Sequence, residues 1–545
     1  MKIFSLMTGS SSKFNLRLAY YHPWIIISYY LAYQYIVNIQ QLKFKMFLIP
    51  ELLCLFLVTT LFFLINRFIH DLTATAVITS IGIIIFFSYS SISSLFPSLN
   101  QFESNNSNSF ENALWISFIV SIIILIGSLI AVVIALRKIT WFKGIISVFL
   151  NTLSLILFAT IIGMYAIKRP QLNSMVEFRK EWKSYLSDNY QPSITNPNIP
   201  PDIYLIILDG YGSTEVLKEI YEYDNTPLTK ELSKLGFAII PEAKTNYSQT
   251  RLVFSALLNM DYVSELSSEN LSSIDTRPLI EMIESNLVMK QLESTGYTKM
   301  SFAYGFPYTR DIDVNVTIPS GYQFTELDKL ILRKTIIFPL LNNLLYENRK
   351  NSIIGTLHSL ENLSRYSSPK FVFAHIYCPH PPFMFTENGD YQIPKMNYSD
   401  YDAEALVNIT SSEFYLDGYR NQAKFISGEV LNTVRSILKN SSPYPIIILM
   451  GDHGPGLNVS HANPTYSNHF ERMHILNALY LPGVDPASIP ADLTPVNTFR
   501  FIFNQYFGTS YEMLENKTYA SPYNRPFDYI DVTESSNTNS TTSNE

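Results

Sequence analysis

Pro201-Asp202-Ile203-Tyr204-Leu205-Ile206-Ile207-Leu208-Asp209-Gly210 is an apolar run that stops at a carboxylate followed by a glycine. Six apolar residues bounded by turn formers read as a strand buried on both faces, the kind a parallel sheet contains. A second stretch repeats the pattern: Pro445-Ile446-Ile447-Ile448-Leu449-Met450-Gly451-Asp452-His453-Gly454. Open α/β sheets present their ligands beyond the carboxyl ends of such strands, which makes Asp209 and the Asp452-His453 pair candidate site residues. A strand-terminal Asp is also a common helix cap, so Asp209 alone leaves both readings open. Asp beside His between glycines is more pointed. Oxygen plus imidazole suits a borderline divalent metal, and the glycines allow close backbone approach.

Around these two stretches, short apolar runs alternate with longer helical patterns, which predicts an α/β domain with a mostly parallel central sheet. Expected strands are Ile203–Leu208, Phe237–Ile240, Met300–Tyr304, Phe371–Ile376, Ile446–Met450 and Ala478–Leu481. Expected helices include Leu228–Leu235, Arg251–Leu258, Val288–Glu293 and Glu413–Leu438.

The first 170 residues read differently. Five apolar runs, about 23–40, 46–66, 74–95, 112–136 and 143–166, each approach the roughly 20 residues that cross a bilayer as a helix. Only 16% of the 545 residues are charged, against about 25% in soluble domains, consistent with a membrane part. No cleavable signal sequence is expected, because the first apolar run begins late and no small-residue site follows it. Lys2, Lys13, Arg17, Arg67, Arg137, Lys138 and Lys143 fall on one side of the five runs and Lys43 and Lys45 on the other. This places the N-terminus in the cytoplasm and everything after about residue 167 outside. The expected organisation is a transmembrane region at 1–167, a proline-bearing linker at 168–201 (Pro192, Pro197, Pro200, Pro201), a catalytic domain at 202–530 and a disordered tail at 531–545. A net charge of −7 without a long basic run excludes nucleic acid as a partner. Two cysteines, Cys54 and Cys378, exclude a disulfide framework or thiolate metal site.

Between the two acid-ended strands lies Asn246-Tyr247-Ser248-Gln249-Thr250-Arg251, leading into the apolar Leu252–Met260. It reads as a loop ending on a helix N-terminus, where free N–H groups favour an anionic ester. From these residues alone, Ser248 or Thr250 is equally a plain N-cap. Taken together, strand-Asp209-Gly210, a Thr at a helix start about 40 residues on, and a late Gly-Asp452-His453-Gly resemble the alkaline phosphatase and sulfatase superfamily. The likeness is to its membrane-anchored branch, which includes lipoteichoic acid synthases and phosphoethanolamine or phosphoglycerol transferases. The resemblance implies that Asp209, Thr250, Asp452 and His453 bind one divalent metal, manganese, zinc or similar, with Thr250 also the nucleophile. It covers roughly residues 202–485, and motif order and spacing carry it. Sulfatases proper carry Cys/Ser-x-Pro-x-Arg. Here Ser248-Gln249-Thr250-Arg251 has neither Cys nor Pro, which argues against sulfate ester hydrolysis through formylglycine.

Phe373-Ala374-His375-Ile376-Tyr377-Cys378-Pro379-His380-Pro381-Pro382-Phe383 resembles the family's His-Pro-Pro-Phe segment, which implies that His380 contacts the substrate phosphate. His375, within the strand, reads as a supporting residue. His461, His469 and His474 are available to a second metal, although their spacing matches no pattern that can be carried over. Glu471-Arg472 reads as a structural ion pair.

The expectation is therefore a multi-pass membrane enzyme with an extracytoplasmic, metal-dependent domain. It would transfer or hydrolyse phosphate esters of lipid or envelope-glycan headgroups. A sulfuric ester hydrolase and a non-catalytic membrane scaffold are the alternatives. Donor, acceptor and oligomeric state are open at this stage.

Overall fold

A computed structural model describes residues 20–95, 109–139, 142–190, 200–266, 274–302, 309, 311–319 and 324–539. The chain divides into two compact units, Met1–Leu172 with Phe324–Asn342, and Asn173–Gln323 with Asn343–Glu545.

The first unit is helical. Among the described residues, three helices are long and apolar enough to cross a membrane, within Phe44–Ile69, Leu114–Lys138 and Lys143–Asp188. His22–Val37 has 16 residues and Leu72–Phe86 has 15, both short of the roughly 20 a bilayer core requires. Polar groups sit between the helices: Glu51 accepts from Ser28 Oγ, and His22 meets Ser80 Oγ at 2.5 Å. Lys2, Lys13 and Arg17, used above for orientation, lie outside the described residues.

The region expected as a linker from 168 is helical to Asp188, continuing the helix that begins at Phe142. The cause is in the sequence: Met175, Phe178, Trp182 and Leu186 recur at three- and four-residue spacing and enter the core of the second unit. Trp182 stacks on Phe178 and Tyr185 and donates its Nε1–H to the Ser285 carbonyl at 2.8 Å. Of the expected linker prolines, Pro192 and Pro197 lie outside the described residues.

The second unit is built on a seven-stranded sheet with strands β1 (Ile203–Leu208), β2 (Ala238–Ile239), β3 (Thr298–Phe302), β4 (Val316–Ile318), β5 (Lys370–Ile376), β6 (Ile446–Gly451) and β7 (Asn477–Tyr480). Their order is β2-β7-β6-β1-β5-β3-β4. The run from β6 to β4 is parallel, and β7 is antiparallel to both its neighbours. This is the mostly parallel α/β architecture expected. The central strands β1, β5 and β6 are buried along their whole length; β1 and Ile446–Met450 are unbroken apolar runs, while β5 carries Lys370 and His375, held by Asp202 and Asp209. Tyr304, the expected end of the third strand, lies outside the described residues, and β4 was not anticipated. Part of the tail expected from 531 is folded. Ile530–Asp531 pairs with Tyr519–Ala520, and Val532 packs on Met473 and Ala520, so 531–539 are folded, while 540–545 lie outside the described residues.

Candidate functional site

Strands β6, β1 and β5 lie side by side, and Leu208 is in register with both Gly451 and Ile376. The chain therefore leaves all three strands at one level, and Asp209, Asp452 and the segment after Ile376 share one rim of the sheet. Register partners share a face, and Ile207 is partnered by His375 and Met450. Two residues beyond Ile207 and Met450, Asp209 and Asp452 sit on that same face. His375 Nε2 is 3.1 Å from Asp209 Oδ2, the supporting place expected of it.

Asp209, Asp452 and His453 each offer one ligand atom within 4.8 Å of the others, all of them buried. The Gly210 N–H donates to Asp452 Oδ1 at 2.9 Å. The remaining oxygens, Asp209 Oδ1 and Asp452 Oδ2, are buried without a hydrogen-bond partner. Burial first, and then the charge of Asp452, pushes Asp209 above the usual carboxylate range. His453 has its Nδ1 2.9 Å from the Gly454 carbonyl. A carbonyl only accepts, so Nδ1 carries the hydrogen and the neutral ring presents its lone pair at Nε2. Burial, followed by the Arg472 charge, holds this imidazole well below its ordinary value and keeps it neutral. Its Nε2 lies 3.1 Å from Thr250 Oγ1, 3.4 Å from Asp452 Oδ2 and 3.8 Å from Asp209 Oδ1. Three oxygens and one nitrogen thus converge on a point where two carboxylate oxygens have no donor. That donor set fits a divalent cation of the zinc or manganese type.

Thr250 is the first residue of helix Thr250–Asn259. The N-cap is Gln249, in extended conformation and without a side-chain cap, so neither Ser248 nor Thr250 has that role. The Gln249 amide instead donates to the Ser521 and Pro522 carbonyls, and its oxygen accepts from Arg251. The glycines around Asp452-His453 are spatial necessities. A Cβ on Gly451 would lie 2.2 Å from the Tyr211 carbonyl oxygen, and one on Gly454 2.0 Å from that of Glu471.

A cavity of about 800 Å³, including its open mouth, is lined by Thr250, Arg251, His380, His453, His461 and Arg472 among others. His380 lies beyond β5, stacked on Tyr377 with ring centroids 4.4 Å apart, and its Nδ1 is 2.7 Å from the Pro381 carbonyl. Its backbone N–H donates to the Asp209 carbonyl at 3.1 Å, and burial lowers its pKa.

The expected Glu471–Arg472 ion pair is absent among the described residues, because the two side chains diverge. Glu471 accepts from Tyr221 Oη (2.5 Å), Leu457 N (2.6 Å), Asn458 N (3.0 Å) and Asn458 Nδ2 (2.9 Å). Arg472 donates from Nε to the Ser248 carbonyl at 2.8 Å and from Nη1 to that of Gly454 at 3.1 Å. It therefore ties the loop before Thr250 to the loop after His453 and puts a buried cation on the cavity wall. Adjacency of opposite charges in sequence concealed this role. Of the histidines offered to a second metal, His461 lines the cavity, its pKa lowered by burial to about 4. His469 is fixed by Ser535 and the Pro464 carbonyl, and His474 by the Phe470 carbonyl. Among the described residues no second metal-ligand cluster forms.

No family model matches the chain, and no curated protein does. Solved structures do. One is the C-terminal periplasmic domain of EcEptC from Escherichia coli in complex with zinc, at 14% identity over 61% of this chain and 93% of that one, TM-score 0.39. Another is the integral membrane protein lipooligosaccharide phosphoethanolamine transferase A (EptA) from Neisseria meningitidis, at 13% identity over 90% of this chain and 95% of that one, TM-score 0.37. A third is BT1596, a 2-O GAG sulfatase, at 13% identity over 59% and 77%, TM-score 0.38. The chain is thus similar to membrane phosphoethanolamine transferases and to sulfatases, at a distance that leaves its chemistry to be argued from its own residues.

Proposed function

We propose that the protein is a membrane-anchored, metal-dependent phosphotransferase or phosphohydrolase acting on phosphate esters of lipid or envelope-glycan headgroups, with Thr250 as nucleophile. One observation carries the reading. The Thr250 hydroxyl, free of capping duty, meets His453 Nε2 at 3.1 Å beside two buried carboxylate oxygens that no hydrogen bond satisfies. Asp209, Thr250, Asp452 and His453 would hold one divalent cation, which when bound lowers the pKa of the threonine hydroxyl and neutralises charge on the transferred group. Around that centre each side chain has a task its geometry permits. Thr250 Oγ1 attacks phosphorus, the bond from phosphorus to the leaving oxygen breaks, and the hydroxyl proton ends, by way of water, on that leaving oxygen, so that an alcohol departs and a phosphothreonine remains. Arg472, held by two carbonyls, and Arg251, held by Gln249, present positive charge to the nonbridging oxygens. His380 is neutral with Nδ1–H held by Pro381, so its other nitrogen is an acceptor. There it takes the proton of the alcohol or water that displaces Thr250 in the second half-reaction.

Placement supports an extracytoplasmic site. Arg137, Lys138 and Lys143, between the last two spans, fall on the side opposite residues 173 onward. A basic loop marks the cytoplasmic side. The test is turnover of generic phosphodiester, phosphomonoester and sulfate ester substrates by the full chain in detergent with manganese or zinc, wild type beside Thr250→Ala. Metal-dependent phosphoester cleavage lost in the variant supports the reading. Equal activity in both, or sulfate ester cleavage alone, overturns it.

A further inference from the structure

Residues 324–342 belong to the helical first unit although they follow its last apolar helix by some 150 residues of chain. Thr325 and Asp328 form a capping box that starts helix Glu326–Leu332. Leu327 and Ile331 on that helix are buried among Ile26, Ile27, Leu31 and Val77 of the bundle. The backbone is stitched in as well. The Ile336 N–H donates to the Phe86 carbonyl at 2.9 Å, and the Tyr89 N–H to that of Lys334 at 3.2 Å. The segment is therefore docked against the end of helix Leu72–Phe86.

Its outward side pairs basic with apolar residues. Glu326 is engaged by Lys329, and Asp328 by the capping box, so the acids are internally satisfied. Arg333 and Lys334 have no ion-pair partner among the described residues, and Arg333 Nε is buried without an acceptor. Directly after them, Ile337 is 37% and Leu340 50% exposed, with no acidic residue between 333 and 342. The membrane-length helix Phe44–Ile69 beside which the segment packs carries the same kind of surface, with Ile49 73% and Phe56 67% exposed.

We infer that residues 333–340 form an interfacial lipid-binding surface, with Arg333 and Lys334 taking the phosphates of anionic phospholipids and Ile337 and Leu340 entering the acyl boundary beneath them. Three observations on one short segment favour this occupant: two unpaired cations, exposed apolar side chains one to two turns further on, and continuity with the apolar belt of the bundle. The inference rests on the membrane reading of the first unit and is independent of the chemistry proposed for Thr250.

The test uses the full chain in nanodiscs of mixed phosphatidylcholine and phosphatidylglycerol, with p-benzoylphenylalanine placed singly at Leu340, at Phe56 and at the exposed Tyr466 of the second unit. Crosslinking to lipid is expected from Phe56 and Leu340 and not from Tyr466. Preference for the anionic lipid at Leu340, about fivefold for each basic side chain held at the surface, is expected to fall to near unity in Arg333→Gln/Lys334→Gln. Lipid captured by Phe56 but no more by Leu340 than by Tyr466 overturns the inference. Lipid captured by neither Phe56 nor Leu340 overturns the membrane reading beneath it. Capture at Leu340 without anionic preference, unchanged by the double substitution, refutes the assigned role of Arg333 and Lys334.

Discussion

Glu471→Gln is the perturbation whose cost the structure fixes most closely. Four donors converge on this buried carboxylate, two on each oxygen: Tyr221 Oη and Leu457 N on Oε1, Asn458 N and Nδ2 on Oε2. Burial pushes the carboxyl up, and these donors pull it back. Glutamine has the same shape but one acceptor oxygen, and its NH2 group must face two of the four donors whichever way the amide turns. Turned toward Tyr221, whose hydroxyl can accept from the NH2, the amide leaves Leu457 N as the one unpaired donor, a loss of about 1–3 kcal/mol. In a unit of this size that lowers Tm by on the order of 1–4 °C. Because Leu457 and Asn458 close the loop that begins at His453, turnover should fall by about tenfold or more as that loop loosens. The assay is thermal unfolding of the full chain in detergent at pH 8, with the exposed Glu413→Gln as control, expected within about 0.5 kcal/mol of wild type. A Tm for Glu471→Gln equal to that of the control would refute the counting of donors.

Other consequences follow from the same geometry. Arg472→Lys keeps the charge but cannot bridge Ser248 and Gly454, so kcat should drop more than KM rises, whereas Arg472→Gln should worsen both; equal kinetics for Lys and wild type would contradict the bridging role. Gly451→Ala must displace the Tyr211 carbonyl, and chemical denaturation should show a loss of about 1–3 kcal/mol or more. Trp182→Ala should cost about 3–5 kcal/mol if the helix through 188 is core and nothing if it is a linker, a difference visible in limited proteolysis. The sign of the metal effect also follows. With the Asp209 pKa raised, the metal-free folded chain binds a proton the unfolded chain has released, so this group's stabilisation is present at low pH and is lost as pH rises toward the raised value. A bound cation demands the ionised form. The gain in Tm on adding zinc or manganese should therefore grow from pH 6 to alkaline pH, and calorimetry should detect protons released on binding.

The acid-ended strands were legible because a fully buried parallel strand writes itself as an unbroken apolar run, and the polar residue that stops it is where the backbone leaves the sheet. The same logic placed Thr250 at a helix start, though only the coordinates show that its hydroxyl faces His453 instead of capping the helix. Arg472 was not legible as a cavity residue. Neighbours in sequence suggested a pair, while consecutive residues of the helix His469–Met473 point about 100° apart and so reach different loops. Met175, Phe178, Trp182 and Leu186 were hidden among charged residues and by the prolines that follow them, so helix read as linker. The docking of 324–342 on the bundle could not be seen at all, since it joins segments far apart in the chain through ordinary apolar contacts.

The central claim is that Thr250 carries the transferred group. The most direct measurement is acid quench of the full chain during turnover of a phosphodiester with metal present, followed by peptide mass spectrometry across residues 244–260. The account predicts the phosphoryl-linked headgroup on Thr250, and its absence together with lost turnover in Thr250→Ala. Undiminished turnover in that variant, with no modification of Thr250 in wild type, would contradict it.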